Sequence, residues 1–183
     1  MKILMCMTGA SGSIYGIRLI EELKKIGAEI HLIISKEAEK IIQFETDYNI
    51  DQFDKFIIKK YSNADLFAAP SSGSFELDGM IISPCSIKTL SSIANGYSNN
   101  LISRSAMCCL KEGRKLVLVL RETPLDLTSI ENMKRAKLNG AIILPAMPAF
   151  YHSPKNIDDL VNYIVGKILD QFNIEHNIYK RWE

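Results

Sequence analysis

Apolar positions along this chain follow two different spacings. Nearly continuous apolar runs occupy 2–7, 28–34, 79–83, 115–120 and 140–144. Runs of that length and composition predict short strands buried on both faces. Between them, apolar residues recur every three to four positions over 14–26, 35–45, 85–95, 99–111, 127–138 and 157–171, which predicts amphipathic helices. Strands alternating with helices predict a parallel sheet covered on both sides: a three-layer α/β/α, Rossmann-like (flavodoxin-like) domain. The stretch 46–76 has weak periodicity, and its segment 68–74 reads as a mobile loop. No repeat or linker divides the chain, so 1–183 reads as a single domain.

The polar residues gather where the predicted strands end, and open parallel sheets bind their ligands there. The first strand runs into Thr8-Gly9-Ala10-Ser11-Gly12-Ser13 and then into a helix. Small residues let backbone approach a ligand, and the first helical turn offers unpaired N–H groups, so this unit reads as a receptor for a phosphorylated ligand. Its spacing is neither G-x-G-x-x-G nor a Walker A loop. Ser35 follows the second strand. Ser86, Ile87, Lys88 and Thr89 open the helix after the third, with Pro84 just before. Hydroxyls, an ammonium and free N–H groups in one turn suit a phosphate or the oxygen-rich edge of a cofactor ring; a cap and a solvated lysine would look the same.

Arg121 and Glu122 follow the Lys115–Leu120 run. An arginine there suits a phosphate or a flavin carbonyl, and Glu122 suits proton transfer, pointing to the opposite side if strand geometry continues. A structural ion pair is the plainer alternative. Arg104 and Lys111, seven apart on one helix, share a face and are candidates for one anion site.

Composition narrows the classes without choosing among enzymes. Lys plus Arg number 22 against 21 Asp plus Glu, so no global field favours nucleic acid or an anionic membrane. Cys6, Cys85, Cys108 and Cys109 lack metal-ligand spacing, and no apolar run is long enough to span a bilayer. With no secretory leader pattern, a cytoplasmic setting is expected and no metal site is predicted.

Taken together, TGASGSIYGIRL (8–19), SSGSFELDGMIISPCSIKTLSSIANG (71–96), NLISR (100–104), LKEGRKLVLVLRETPL (110–125), ENM (131–133), ILPAMPAFYHSP (143–154) and the closing RW (181–182) resemble the UbiX/Pad1 flavin prenyltransferases. The resemblance runs nearly end to end. It implies a homo-oligomer, a dodecamer, with active sites at subunit junctions. It also implies transfer of a dimethylallyl group from dimethylallyl monophosphate to N5 and C6 of reduced FMN, without a metal. The prenylated FMN then serves a UbiD-type decarboxylase.

Position by position, the resemblance puts FMN contacts at Gly9, Ala10, Ser11, Ser35, Ser86, Ile87, Lys88, Thr89 and Arg121. It makes Ser11, Glu45 and Glu122 the catalytic candidates. It puts the prenyl phosphate at Arg104, Lys111, Tyr151 and Lys167, with Trp182 in a tail, 172–183, packed at the active site or a subunit interface. Position 167 is usually arginine in the family, and Ser129 stands near a frequent histidine. Lysine keeps the charge but lacks the bidentate fork. A flavin-dependent decarboxylase of a cysteine-containing substrate would share this fold, but it uses a histidine in the first-helix region and a PAMN-type segment. This chain has neither, reading PAMPAFY instead. A flavin-carrying accessory subunit of a decarboxylase is the non-enzymatic alternative.

Overall fold

Side by side and all parallel, the buried runs form one sheet in a computed structural model that describes residues 1–182. Its strands are β1 (Lys2–Met7), β2 (Glu29–Ile34), β3 (Lys59–Ser62), β4 (Gly79–Cys85), β5 (Lys115–Leu120) and β6 (Ile142–Ile143). The helices are α1 (Ser13–Lys25), α2 (Lys36–Glu45), α3 (Ile87–Ala94), α4 (Leu101–Lys111), α5 (Leu127–Leu138) and α6 (Ile157–Gln171). The order β3-β2-β1-β4-β5-β6 is that of a Rossmann sheet. Its direction of winding reverses between β1 and β4, which opens a crevice at their carboxyl ends.

Strand alternation divides the core between the two helical layers. On β1, Ile3, Met5 and Met7 face the layer of α1, α2 and α6, while Leu4 and Cys6 face that of α3, α4 and α5. All five are fully buried, so truncating Leu4 to alanine costs about 2–5 kcal/mol. Gly16 brings α1 down onto the sheet. A Cβ there would collide with the Ser83 carbonyl and come within 2.7 Å of the Met7 methyl.

The structure corrects the sequence reading in several places. The weakly periodic stretch contains β3, an edge strand reading KKYS in which only Tyr61 is buried. Exposed lysines on an edge guard it against pairing but erase the apolar signal. The segment expected to be a mobile loop holds a single 3₁₀ turn, Ala69–Ser71, pinned to α4 and the residues after it. Arg104 Nε donates to the Ser71 carbonyl at 3.0 Å, and Arg114 donates to the Gly73 and Phe75 carbonyls at 2.7 and 2.8 Å. Pro84 lies within β4, which runs on to Cys85.

Candidate active site

Thr8 ties the two strands together at the switch point. Its N–H and hydroxyl donate to the Pro84 carbonyl at 3.1 and 2.9 Å, and the hydroxyl accepts from the Ser86 N–H at 2.8 Å. The chain then turns through Gly12 at φ 95°, a left-handed conformation that suits glycine. Glycine has no side chain with which to cap α1, and Glu45, from the end of α2, takes that place. Its carboxylate accepts the N–H groups of Gly12 and Ser13 at 3.0 and 2.9 Å and the Ser13 hydroxyl at 2.7 Å. Burial alone would raise its pKa. Hydrogen bonds from Ser11, Ser13 and Gly12 outweigh burial and hold it below the ordinary carboxylate value. The start of α1 therefore already carries an anion, which differs from the phosphate expected there.

Above this turn lies a cleft of about 310 Å³ that brings Gly9, Ala10, Ser11, Glu45, Ser86, Ile87, Arg121 and Glu122 together, with Ile41 and Phe44 as an apolar wall. Arg121 and Glu122 both line this cleft, and among the described residues no ion pair joins them. The strand ends at Leu120, so its alternation does not extend to them. Arg121 Nε is buried there without a hydrogen-bond partner among the described residues. Such an orphaned donor fits an anionic or carbonyl-bearing ligand. Ser86 caps α3 by accepting from the Thr89 N–H at 3.3 Å, and it lines the cleft together with Ile87, the first residue of that helix. Ser35 likewise caps α2 through the Ala38 N–H at 3.1 Å. A larger opening of about 490 Å³ between α2 and β3 contains none of the predicted site residues.

A second group forms beyond β6. The extended segment from Pro145 is held beside Arg121 by the Ala146 N–H donating to the Leu120 carbonyl at 2.8 Å, and it leads to Tyr151. Tyr151 meets Trp182 edge to face, with ring centroids 5.2 Å apart, and Tyr163 at 5.9 Å. Partial burial and Tyr163 raise the Tyr151 hydroxyl above its ordinary pKa, against the opposing charges of Lys167 and Arg181. Lys167 pairs with Asp170 at 3.3 Å. The tail folds back along α6 as far as Trp182; its last residue, Glu183, lies outside the described residues.

Arg104 and Lys111 share a face, as their spacing predicts, and both turn toward 71–73. They are not part of either group. Lys111 closes α4 just before β5 begins, whereas Arg121 follows its end, and six strand residues span about 20 Å. Sequence reasoning missed Ser13 as a partner of Glu45, the apolar wall of Ile41 and Phe44, and Asp170. Ser13 lay inside the matched loop and was readable as a hydroxyl at a helix start; Asp170 carried no signal.

A Flavoprotein family model matches residues 1–169. The flavin prenyltransferase UbiX of Thauera aromatica is 50% identical over 182 residues, covering all of this chain and 94% of that one. The crystal structure of AnUbiX (PadA1) in complex with FMN and dimethylallyl pyrophosphate superposes with a TM-score of 0.97. It is 43% identical and covers 100% of this chain and 97% of that one. A dodecameric FMN-dependent UbiX-like decarboxylase from Escherichia coli O157:H7 gives the same TM-score at 44% identity, covering both chains completely. No helix among the described residues is long and apolar enough to cross a membrane.

Proposed function

Because the chain belongs to the flavoproteins and, among them, to the UbiX flavin prenyltransferases, we infer that it binds FMN and transfers a dimethylallyl group from dimethylallyl monophosphate to N5 and C6 of the reduced flavin. The observation that carries this reading is one cleft combining a buried, unpaired guanidinium nitrogen with two carboxylates, Glu45 and Glu122.

Glu45 occupies the start of α1, so the flavin phosphate belongs at the start of α3. There Ser86, Ile87, Lys88 and Thr89 offer hydroxyls, N–H groups and an ammonium. Gly9, Ala10 and Ser11 line the cleft, Ser35 supports it from the start of α2, and Arg121 would take a ring oxygen with its free Nε. Bound reduced flavin supplies the nucleophilic nitrogen and the ring carbon that receive the prenyl group.

The protein's own work is to stabilise the departing phosphate, exclude water and move protons. Tyr151 and Lys167 hold the phosphate from this chain, and Arg104 and Lys111 hold it from a neighbouring chain of the homododecamer. These cations and the hydroxyl stabilise charge as the allylic C–O bond breaks, which is the work a metal does in other prenyl transfers. Tyr151 and Trp182 wall off water that would capture the allylic fragment. Glu122 takes the proton lost from C6. Ser11, beside Glu45, completes the catalytic set. The product serves a UbiD-type decarboxylase, and buried free thiols at Cys6, Cys85, Cys108 and Cys109 suit a reducing cytoplasm.

The test is anaerobic incubation with reduced FMN and dimethylallyl monophosphate, followed by mass spectrometry of the flavin. A flavin heavier by one C5H8 unit is expected, formed without magnesium. Glu122→Gln should bind both ligands yet accumulate little ring-closed product. An unchanged flavin mass with wild-type protein refutes the transferase reading and favours decarboxylation of a cysteine-containing substrate.

A further inference from the structure

Asp170 lies one turn beyond Lys167 on α6, outside the flavin cleft, with a side chain only 19% exposed. Lys167 Nζ sits 3.3 Å from its Oδ2, and the Tyr179 hydroxyl donates to the same oxygen at 3.0 Å. Arg181 donates to Oδ1 at 2.8 Å and to Oδ2 at 3.4 Å, and His176 Nε2 meets Oδ1 at 3.1 Å. Every acceptor direction of this carboxylate is thereby used by α6 or the tail. Burial opposes its charge, but hydrogen bonds from Arg181, Tyr179 and Lys167 prevail and bring its pKa to about 2. It is therefore ionised throughout the neutral range.

The same face of α6 is also shaped for the tail. Gly166 lies one turn before Asp170, and a Cβ there would collide with the Tyr179 ring and come within 2.7 Å of His176 Cε1. His176 Nε2 also meets the Gly166 carbonyl at 3.0 Å. A bare backbone surface and a carboxylate, four residues apart, receive the same tail side chains. Three residues after Tyr179 the chain reaches Trp182, which rests on Tyr151.

An anion beside a phosphate site weakens phosphate binding unless it does something the site needs. Here it faces two basic side chains, Lys167 and Arg181, so the cluster keeps a net positive charge while both are held in fixed directions. We infer that Asp170 is the positioning residue of the prenyl-phosphate site, clamping Tyr179 and Arg181 to α6 so that Lys167, Tyr151 and Trp182 present one surface to the donor. The kinetic part of this inference rests on the prenyl-transfer reading. The clamp itself rests on geometry alone.

Trp182 is the chain's single tryptophan, so its fluorescence reports the tail directly. The experiment compares assembled, FMN-loaded wild type with Asp170→Ala and Asp170→Asn. Asp170→Ala is expected to lower the fluorescence anisotropy of Trp182 clearly below the wild-type value and to raise KM for dimethylallyl monophosphate about 10- to 100-fold, with kcat changed far less and FMN affinity unchanged. Asp170→Asn keeps an acceptor for Arg181 and Tyr179 and should restore much of the wild-type anisotropy. Unchanged anisotropy in Asp170→Ala overturns the clamp. Lowered anisotropy with KM within twofold of wild type overturns its link to the donor. Loss of FMN or of assembly in both variants overturns the positioning role in favour of a general folding one. Should the wild type fail to prenylate FMN, the functional reading falls separately, and anisotropy alone decides whether Asp170 holds the tail.

Discussion

The Ser13 hydroxyl donates to Glu45 Oε2 at 2.7 Å, joining the first residue of α1 to the last residue of α2. With two backbone N–H groups on the same carboxylate, Glu45 replaces the side-chain cap that Gly12 cannot supply. One residue thus serves both the helix and the proposed reaction.

Removing that charge should cost stability in a pH-dependent way. Loss of a good N-cap costs about 0.5–2 kcal/mol, so Glu45→Gln should lower Tm by a few degrees at pH 7. Glu45 has a pKa below its ordinary value of 4.5, so its contribution is complete above that value and disappears as pH falls through the depressed one. Wild type and Glu45→Gln should therefore converge in stability toward the acid end, as denaturant titrations at several pH values would reveal. A constant difference down to strongly acid pH contradicts the assignment.

Flavin affinity should depend on Arg121. Its Nε is buried and unpaired, so a ligand acceptor placed there gains a charged hydrogen bond worth about 1.5–3 kcal/mol. Arg121→Ala should weaken FMN binding roughly 10- to 100-fold in a fluorescence titration, with the fold intact by circular dichroism. FMN should bind better than FAD, because the proposed phosphate contacts lie at the start of one helix. Wild-type affinity in Arg121→Ala removes this residue from the site.

Most of the architecture was legible because buried parallel strands write continuous apolar runs, as β1, β2, β4 and β5 do. β3 escaped because an edge strand of lysines has only Tyr61 to bury, and β6 shrank because only Ile142 and Ile143 pair with β5. The cleft residues were legible as polar insertions at strand ends. Their mutual directions were not, since Arg121 and Glu122 lie past the last strand residue and no longer obey its alternation. Asp170 was illegible for another reason. Its meaning comes from a tail that folds back onto α6, and nothing in the helical pattern encodes that return.

The distance between Lys111 and the cleft predicts complementation between subunits. Lys111→Ala and Glu122→Gln should each slow prenyl transfer, the former by about 30- to 1000-fold if about 2–4 kcal/mol of charge stabilisation is lost. Co-assembled in one oligomer, the two variants should regain activity. A site taking Glu122 from one chain and Lys111 from another is intact in roughly a quarter of random pairings. Mixed oligomers no more active than the parents would show that each chain completes its own site.

Position 167 offers the sharpest check on the donor pocket. Lys167 Nζ reaches Asp170 Oδ2 at 3.3 Å, while Arg181 already holds both carboxylate oxygens. An arginine at 167 cannot take the bidentate place on Asp170 without displacing Arg181, so one prong of its fork stays free. The charge at 167 acts on the Tyr151 hydroxyl, beside which the prenyl phosphate is proposed to bind, and guanidinium suits phosphate geometry better than ammonium does. Lys167→Arg should therefore keep kcat within about threefold and leave KM for dimethylallyl monophosphate equal or lower, measured by flavin mass shift at varied donor concentration. Lys167→Ala, which removes the charge, should raise KM by about tenfold or more. Complete inactivity of Lys167→Arg with FMN still bound would mean that the pocket is built around the shorter ammonium and that Arg181 cannot move to make room.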